Sequence, residues 1–288
     1  MKICPACTAQ HNAVDWGCPA CGYLPTNIDG VPILAPDLAE QGGGFRPEAF
    51  EQLATLEAAH FWFRARNQLI IWALKRFFPE MLRYLEIGCG TGFVLSGVAS
   101  AFPNTEIAGS EIFSAGLPYA TKRAPQAELM QMDARAIPYA EHFDVVAAFD
   151  VLEHIEADTQ VLSEMHNAVR PGGGMVLTVP QHPWLWSHQD EYACHVRRYV
   201  AAELKSKVED AGFEVFYQNS FVSLLLPLMW ASRRLGRAEK ESPSMSEVHI
   251  GRITNNILAS VMALELFAIR NGLRFPGGGS LILVARRT

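Results

Sequence analysis

From Arg83 onward the chain alternates short apolar runs with stretches of helical period. The runs predict strands over 83–87, 105–110, 127–132, 143–149 and 173–180. The stretches between them predict helices over 92–102, 114–124 and 158–170. Alternation of this kind predicts an α/β fold with a parallel, doubly wound sheet. A loop over 181–196, a helix over 201–211 and a strand over 213–219 follow. The block 221–275 reads as a helical insertion. Phe221 to Trp230 is apolar, and Arg233, Arg234 and Arg237 trail it. Glu239 to Glu247 is polar, and Asn255 to Ile269 has amphipathic helical period. Ser280 to Ala285 reads as a last strand. Upstream, Phe50, Leu53, Leu56, Leu69, Ile70, Ala73 and Phe77 recur at helical spacing over 47–78, with a break expected near His60. His60 to Arg66, rich in aromatics and arginine, either packs against the main domain or forms a lip over a ligand.

The first strand of the alternation runs straight into Gly88-Cys89-Gly90-Thr91-Gly92, and a helical pattern begins at once. Glycines let the backbone turn sharply and let a ligand lie against it. The helix then aims its free N–H groups at that ligand. The spacing is G-x-G-x-G, not the dinucleotide G-x-G-x-x-G, and no Lys-Ser/Thr follows to make a P-loop.

The 288 residues suit one large domain with a small appendage, and 49% apolar residues suffice for a sizeable core. A net charge of −6 argues against a broadly basic nucleic-acid surface. Met1 to Pro5 lacks the apolar run of a signal peptide, so a cytoplasmic location is expected. Four of the six cysteines fall in the first 21 residues, as Cys4-x2-Cys7 and Cys18-x2-Cys21. Two such knuckles suit tetrahedral Zn²⁺, and the metal supplies energy that so short a segment cannot draw from a core. Disulfides and rubredoxin-like iron are the competing readings. Residues 1–34 are therefore expected to form a zinc-ribbon-like module, closed by a turn and short strand over Asn27 to Leu34. Residues 35–47, with Gly42-Gly43-Gly44, read as a linker.

Three acids stand at predicted strand ends. Glu111 ends the second strand and can accept from both hydroxyls of a ribose. Asp133 ends the third and can accept from an adenine amino group. Asp150 ends the fourth. Open α/β sheets bind ligands at these carboxyl ends.

Glu86 to Gly92, Glu111, Asp133-Ala134, Phe143 to Val146, Asp150 to Ile155 and Leu162 to Gly174 together resemble a class I S-adenosylmethionine-dependent methyltransferase. The likeness is to the bacterial group that includes quinone-biosynthesis methyltransferases, and it covers about residues 60–220 and the final strand. It implies a Rossmann-like, mostly parallel seven-stranded sheet with the last strand antiparallel, over a domain spanning 48–288. By position, Glu86, Gly88, Gly90 and Gly92 would hold the methionine end of S-adenosylmethionine. Glu111 would bind ribose, Asp133 and Ala134 adenine, and Asp150 and Val151 would lie beside the sulfonium. Glu153-His154 resembles the Glu-x-x-Glu-His patch that holds a divalent cation in quinone O-methyltransferases, with Asp150 in place of the first Glu.

Methyl transfer needs in-line approach, and a base only where the acceptor must lose a proton. His154, His188 and His195 are the candidate bases. Tyr192, Arg197 and Arg198 are candidates for acceptor binding; an equal alternative is that Arg197, Arg198 and Tyr199 anchor the loop. The expected acceptor is a small or lipid-like molecule. Residues 221–237 form a lid, a dimer face or a membrane-surface contact. The rivals are an RNA methyltransferase that touches RNA through the zinc module, which the acidic balance disfavours, and a cofactor-binding protein without turnover.

Overall fold

The structure, a computed structural model, describes residues 1–40, 46, 49–235 and 250–288. Of residues 234 and 235 it describes the backbone. The predicted glycine linker 42–44, the polar stretch 239–247 and Arg237 lie outside the described residues.

The strands are β1 (Lys2–Ile3), β2 (Gln10–His11), β3 (Thr26–Ile28), β4 (Val31–Ile33), β5 (Arg83–Ile87), β6 (Glu106–Glu111), β7 (Glu128–Gln131), β8 (Phe143–Phe149), β9 (Val169–Pro180), β10 (Phe213–Phe221) and β11 (Ser280–Arg287). The helices are α1 (Ala49–Leu56), α2 (Phe61–Phe77), α3 (Phe93–Ala101), α4 (Leu117–Arg123), α5 (Asp158–Ala168), α6 (His188–Tyr192), α7 (Ala201–Asp210), α8 (Leu226–Leu235) and α9 (Arg252–Arg270). The main sheet runs β10-β11-β9-β8-β5-β6-β7-β4-β3. β4 through β9 are mutually parallel, and β11 lies antiparallel between β9 and β10.

Side-chain alternation along the strands builds two cores. Tyr84, Val145, Ala147, Val176, Ile282 and Val284 face α2, α3, α4 and α9. Leu85, Ile87, Val146, Ala148, Leu177 and Leu283 face α5 and α7. Burial on both faces explains why these strands read as continuous apolar runs in the sequence. The chain leaves β5 toward β6 and β7, then returns to lay β8 on the other side of β5. That reversal opens a crevice at the carboxyl ends of β5 and β8.

Four expectations change. The sheet has nine strands, not seven, because the segment expected to close the cysteine module joins the sheet instead. Asn27 to Leu34 folds as the β3–β4 hairpin, and Ile33 pairs with Gln131 of β7. Gln131 fixes this edge: its side-chain Oε1 accepts from Ala35 N–H, and its Nε2 donates to Ala35 O and Ile112 O. The start of the expected linker is consequently docked, with Ala39 buried and its carbonyl accepting from Ser114 N–H. Strand β9 begins at Val169, which pairs with Phe143, so the helix before it ends earlier than its periodicity suggested. The loop expected over 181–196 contains α6, whose first turn is held by Asp190 Oδ2 accepting from the Ser187 N–H (2.9 Å) and hydroxyl (3.2 Å).

Candidate active site and cysteine centre

A cavity of about 850 Å³ lies at the carboxyl ends of β5 to β8, lined by Glu86, Gly88, Gly90, Glu111, Asp133, Ala134, Asp150 and Val151. Strand geometry puts them there: each parallel strand ends on the same edge, and its last side chain reaches into the crevice. Gly88 sits at φ +65°, and a Cβ on it would come within 2.5 Å of Val151 Cγ2. The backbone is therefore pressed against β8's following turn with no room for a side chain. Gly92 does not line the cavity. A Cβ there would come within 2.8 Å of Ala120 Cα, so this glycine lets the start of α3 pack on α4. The structure thus gives it a packing role beside the cavity, which its neighbours Thr91 and Phe93 line.

Glu111 is buried at the end of β6. Oε2 accepts from Gly90 N–H (2.9 Å) and Oε1 from Phe113 N–H (3.1 Å), which ties the glycine loop to the neighbouring strand. Burial pushes its carboxyl up, while those two N–H groups oppose the shift. Glu86, 2% exposed, accepts from Tyr84 Oη at 3.0 Å. Burial drives its carboxyl up to about 8, against the pull of the Tyr84 bond and the Arg66 charge. Asp133 is partly exposed and accepts from Arg135 Nε at 2.9 Å and Arg135 N–H at 2.9 Å.

Asp150 holds a left-handed backbone (φ +58°), which an aspartate adopts at a cost. Its Oδ2 is ion-paired with Arg66 Nη1. Arg66 in turn stacks on Trp62, with its guanidinium 4.6 Å from the ring centroid. Trp62, Phe63 and Arg66 all line the cavity, so the start of α2 is the lip over the ligand space. His60 caps this helix, its Nδ1 accepting from Trp62 N–H at 3.3 Å.

Two of the three candidate histidines come together. The His154 and His195 rings stand edge to face with centroids 4.8 Å apart, and both line the cavity. His195 Nδ1 is 3.0 Å from Oδ1 of Asp190, a carboxylate with no exposed surface. The same oxygen accepts from Arg198 Nε at 2.6 Å. Burial works against a charge on Asp190, but the bonds from His195 and Arg198 and the nearby Arg233 hold it down to about 2. Glu153 is completely buried beside them. Both of its carboxylate oxygens are without a hydrogen-bond partner among the described residues, and burial next to Asp150 raises its pKa well above the usual range.

The remaining candidates divide. Tyr192 lines the cavity, and Arg46 stacks over its ring at 4.8 Å. Arg198 reaches the cavity wall but spends its guanidinium on Asp190 and on Gln181 O. His188 does not belong to the site: it is exposed and 3.0 Å from exposed Glu191 on the outer side of α6. Arg197 also points elsewhere, donating to Ile155 O and Glu156 O and pairing with Asp158, so it anchors the loop. Sequence reasoning missed Glu57, which accepts from the Thr91 hydroxyl at 2.6 Å and so braces the glycine loop from α1's end. No spacing signal marks that residue. Asp190 was legible only as one polar residue among many, although its position five before His195 is what pairs them.

The four N-terminal cysteines converge. Cys4 Sγ lies 3.7 Å from Cys21 Sγ, and Cys7 Sγ lies 3.7 Å from Cys18 Sγ. All four sulfurs fall within 4.8 Å of one another. Thiolates about 2.3 Å from a tetrahedral metal would stand roughly 3.75 Å apart, so the set fits such an ion. The two knuckles share one backbone pattern: Thr8 N–H donates to Cys4 O, and Gly22 N–H donates to Cys18 O. Thr8 (φ +62°) and Gly22 (φ +74°) provide the left-handed turns beneath the sulfurs. The module is docked, not loose. Ile3 N–H donates to Pro138 O, Lys2 lies 4.8 Å over the Trp16 ring, and Trp16 meets Tyr139 edge to face at 5.4 Å.

The comparisons agree with this geometry. Residues 58–218, more than half the chain, match the methyltransferase domain family. A probable S-adenosylmethionine-dependent methyltransferase of Mycolicibacterium smegmatis is 28% identical over 163 residues, which cover 56% of this chain and 62% of that protein. A trans-aconitate 2-methyltransferase of Variovorax paradoxus is 29% identical over 126 residues, covering 43% and 46% of the two chains. The matches thus span about half to three fifths of these relatives' own length. Among solved structures, Haemonchus contortus phosphoethanolamine N-methyltransferase 2 in complex with S-adenosyl-L-methionine superposes with a TM-score of 0.52 at 20% identity, covering 77% of this chain and 52% of that one. With the nucleotide-type cavity, the glycine loop and the acids at successive strand ends, these matches show that the chain belongs to the class I S-adenosylmethionine-dependent methyltransferase family.

Proposed function

We propose that the protein transfers a methyl group from S-adenosylmethionine to a small-molecule or lipid-like acceptor bearing a protic nucleophile. The observation that carries the reading is the cavity at the β5/β8 reversal, with Glu86, Gly88, Glu111, Asp133 and Asp150 on its walls in chain order. The cofactor fits: Gly88 and Gly90 bring side-chain-free backbone to the cavity wall, and Glu111 stands fixed at the end of β6. S-adenosylmethionine supplies a methyl on a cationic sulfur when bound. Glu86 would meet its ammonium group, Glu111 its ribose hydroxyls, and Asp133 with Ala134 its adenine. Asp150, held by Arg66, would stand beside the sulfonium.

On the acceptor side, Trp62, Phe63 and Tyr192 offer apolar walls, which suits an acceptor with an apolar body. His195 would take the acceptor's proton on Nε2, because Asp190 occupies Nδ1 and fixes the ring. His154 lies against it. The four cysteines would hold Zn²⁺ as a structural ion, since four thiolates close a tetrahedral site and leave no position for a reactant. A reducing, cytoplasmic setting suits these thiols, all of which are free.

Calorimetric titration with S-adenosylhomocysteine tests the reading. Binding is expected near micromolar, weakened at least about tenfold (about 1.4 kcal/mol) by Glu111→Ala and by Asp133→Ala. Absence of binding by folded wild-type protein would overturn it.

A further inference from the structure

Helix α9 presents two opposite faces. Met262, Glu265, Leu266 and Ile269 are buried against the body of the protein. Glu265 Oε2 accepts from Ser223 N–H (2.9 Å) and Leu224 N–H (2.8 Å), which ties the segment leading into α8 to this helix. On the other face stand Ile253, Ile257, Leu264 and Phe267, exposed by 79%, 60%, 62% and 66%. At 3.6 residues per turn these four fall within a sector of about 80°. They form a stripe along a helix about 28 Å long. The helix is apolar enough for a mean hydropathy of 1.3 over 18 residues, yet only 22% of that window is buried. Lone exposed apolar residues are ordinary, but an aligned stripe of this length marks a contact surface.

Charge identifies the occupant. The protein carries a net −6, but the only acid in α9 is the buried Glu265. Arg252 and Arg270 close the two ends of the stripe, and Arg274 follows just beyond; all three are exposed. A two-fold pairing of α9 with a second copy would run the helices antiparallel and set Arg252 of each against Arg270 of the other. An anionic lipid surface instead meets an apolar stripe flanked by arginines with complementary charge and depth. We infer that the outer face of α9 docks the protein on an anionic membrane surface, with the helix lying in the interface and not crossing it.

The same contact reaches the mouth of the cavity. Asn255 Oδ1 accepts from Phe61 N–H at 2.9 Å, and its Nδ2 donates to Ala59 O at 3.1 Å. The N-terminal end of α9 is thereby bonded to the start of α2, whose Trp62, Phe63 and Arg66 form the lip. Docking would bring that lip close to the lipid, which suits an amphiphilic acceptor. The inference stands on the surface itself and does not depend on the reaction.

Flotation with vesicles tests it. The full chain should float with vesicles of phosphatidylcholine and phosphatidylglycerol, and far less with phosphatidylcholine alone or at high salt. Ile257→Asp with Phe267→Asp should cut flotation at least about tenfold, with melting temperature and S-adenosylhomocysteine affinity unchanged. Arg252→Ser with Arg270→Ser should abolish the preference for anionic lipid. Failure of the wild type to float would overturn the inference. So would a concentration-dependent dimer, seen by light scattering, that the Asp double variant dissolves. The titration run alongside separates either failure from a failure of the methyltransferase reading.

Discussion

Glu86→Gln separates the cost of a buried acid from its use. Glu86 lies on β5 with 2% of its surface exposed. Burial raises its carboxyl from 4.5 to about 8. The folded protein thus holds this proton more tightly than the unfolded chain. Its stability contribution is complete below about pH 4.5 and is lost as pH rises through about 8. At about 1.4 kcal/mol per pH unit, the gap amounts to about 5 kcal/mol between the limits, and to about 4 kcal/mol between pH 5 and pH 8.5. No discount for solvent screening applies to a group so enclosed. A glutamine keeps an oxygen for the Tyr84 hydroxyl and does not titrate. Any fixed penalty from its new N–H donors cancels when one pH is compared with another. The stability difference, variant minus wild type, should therefore rise by about 4 kcal/mol from pH 5 to pH 8.5. That is a large share of the roughly 5–15 kcal/mol that holds a typical domain together. Urea unfolding followed by tryptophan fluorescence at several pH values measures it. A difference that stays constant over this range would refute the reasoning, because it would mean that Glu86 ionises in the folded protein as it does in water.

Gly88→Ala should abolish S-adenosylhomocysteine binding and lower the melting temperature, because its Cβ would lie 2.5 Å from Val151 Cγ2 on a backbone at φ +65°; unchanged calorimetry would disprove this backbone's part in the site. Treatment with a strong chelator should release one metal per chain, read by atomic absorption, and lower the melting temperature as the Trp16–Tyr139 contact loosens, while S-adenosylhomocysteine affinity persists. A protein that carries no zinc and melts unchanged would remove the structural ion.

Much of the parallel sheet is written locally. Strands buried on both faces need unbroken apolar runs, and Val145 to Phe149 or Met175 to Val179 can hardly be anything else. The glycine loop and the acids at strand ends are legible for a similar reason. A turn at φ +65° and a carboxylate at a strand terminus are demands on single residues at fixed spacing. The two cysteine knuckles are local as well, and their four sulfurs converge as the spacing implied.

What only the tertiary structure decided are the pairings between distant segments. Nothing in Val31-Pro32-Ile33 specifies pairing with β7; the edge that β7 leaves open beside β6 and the side chain of Gln131 choose it. Gly92 has the same spacing as its neighbours, but the approach of Ala120 makes it a packing residue. The histidines of the 181–196 loop look alike in sequence. The fold turns His188 to solvent and brings His195 against buried Asp190 and across from His154. The sequence by itself determined which strands and turns exist and which residues stand as candidates at strand ends, because those follow from period and local backbone need. Which of the polar residues share a site was decided by how far-apart segments pack, since burial and charge are properties of the assembled neighbourhood and not of the residue.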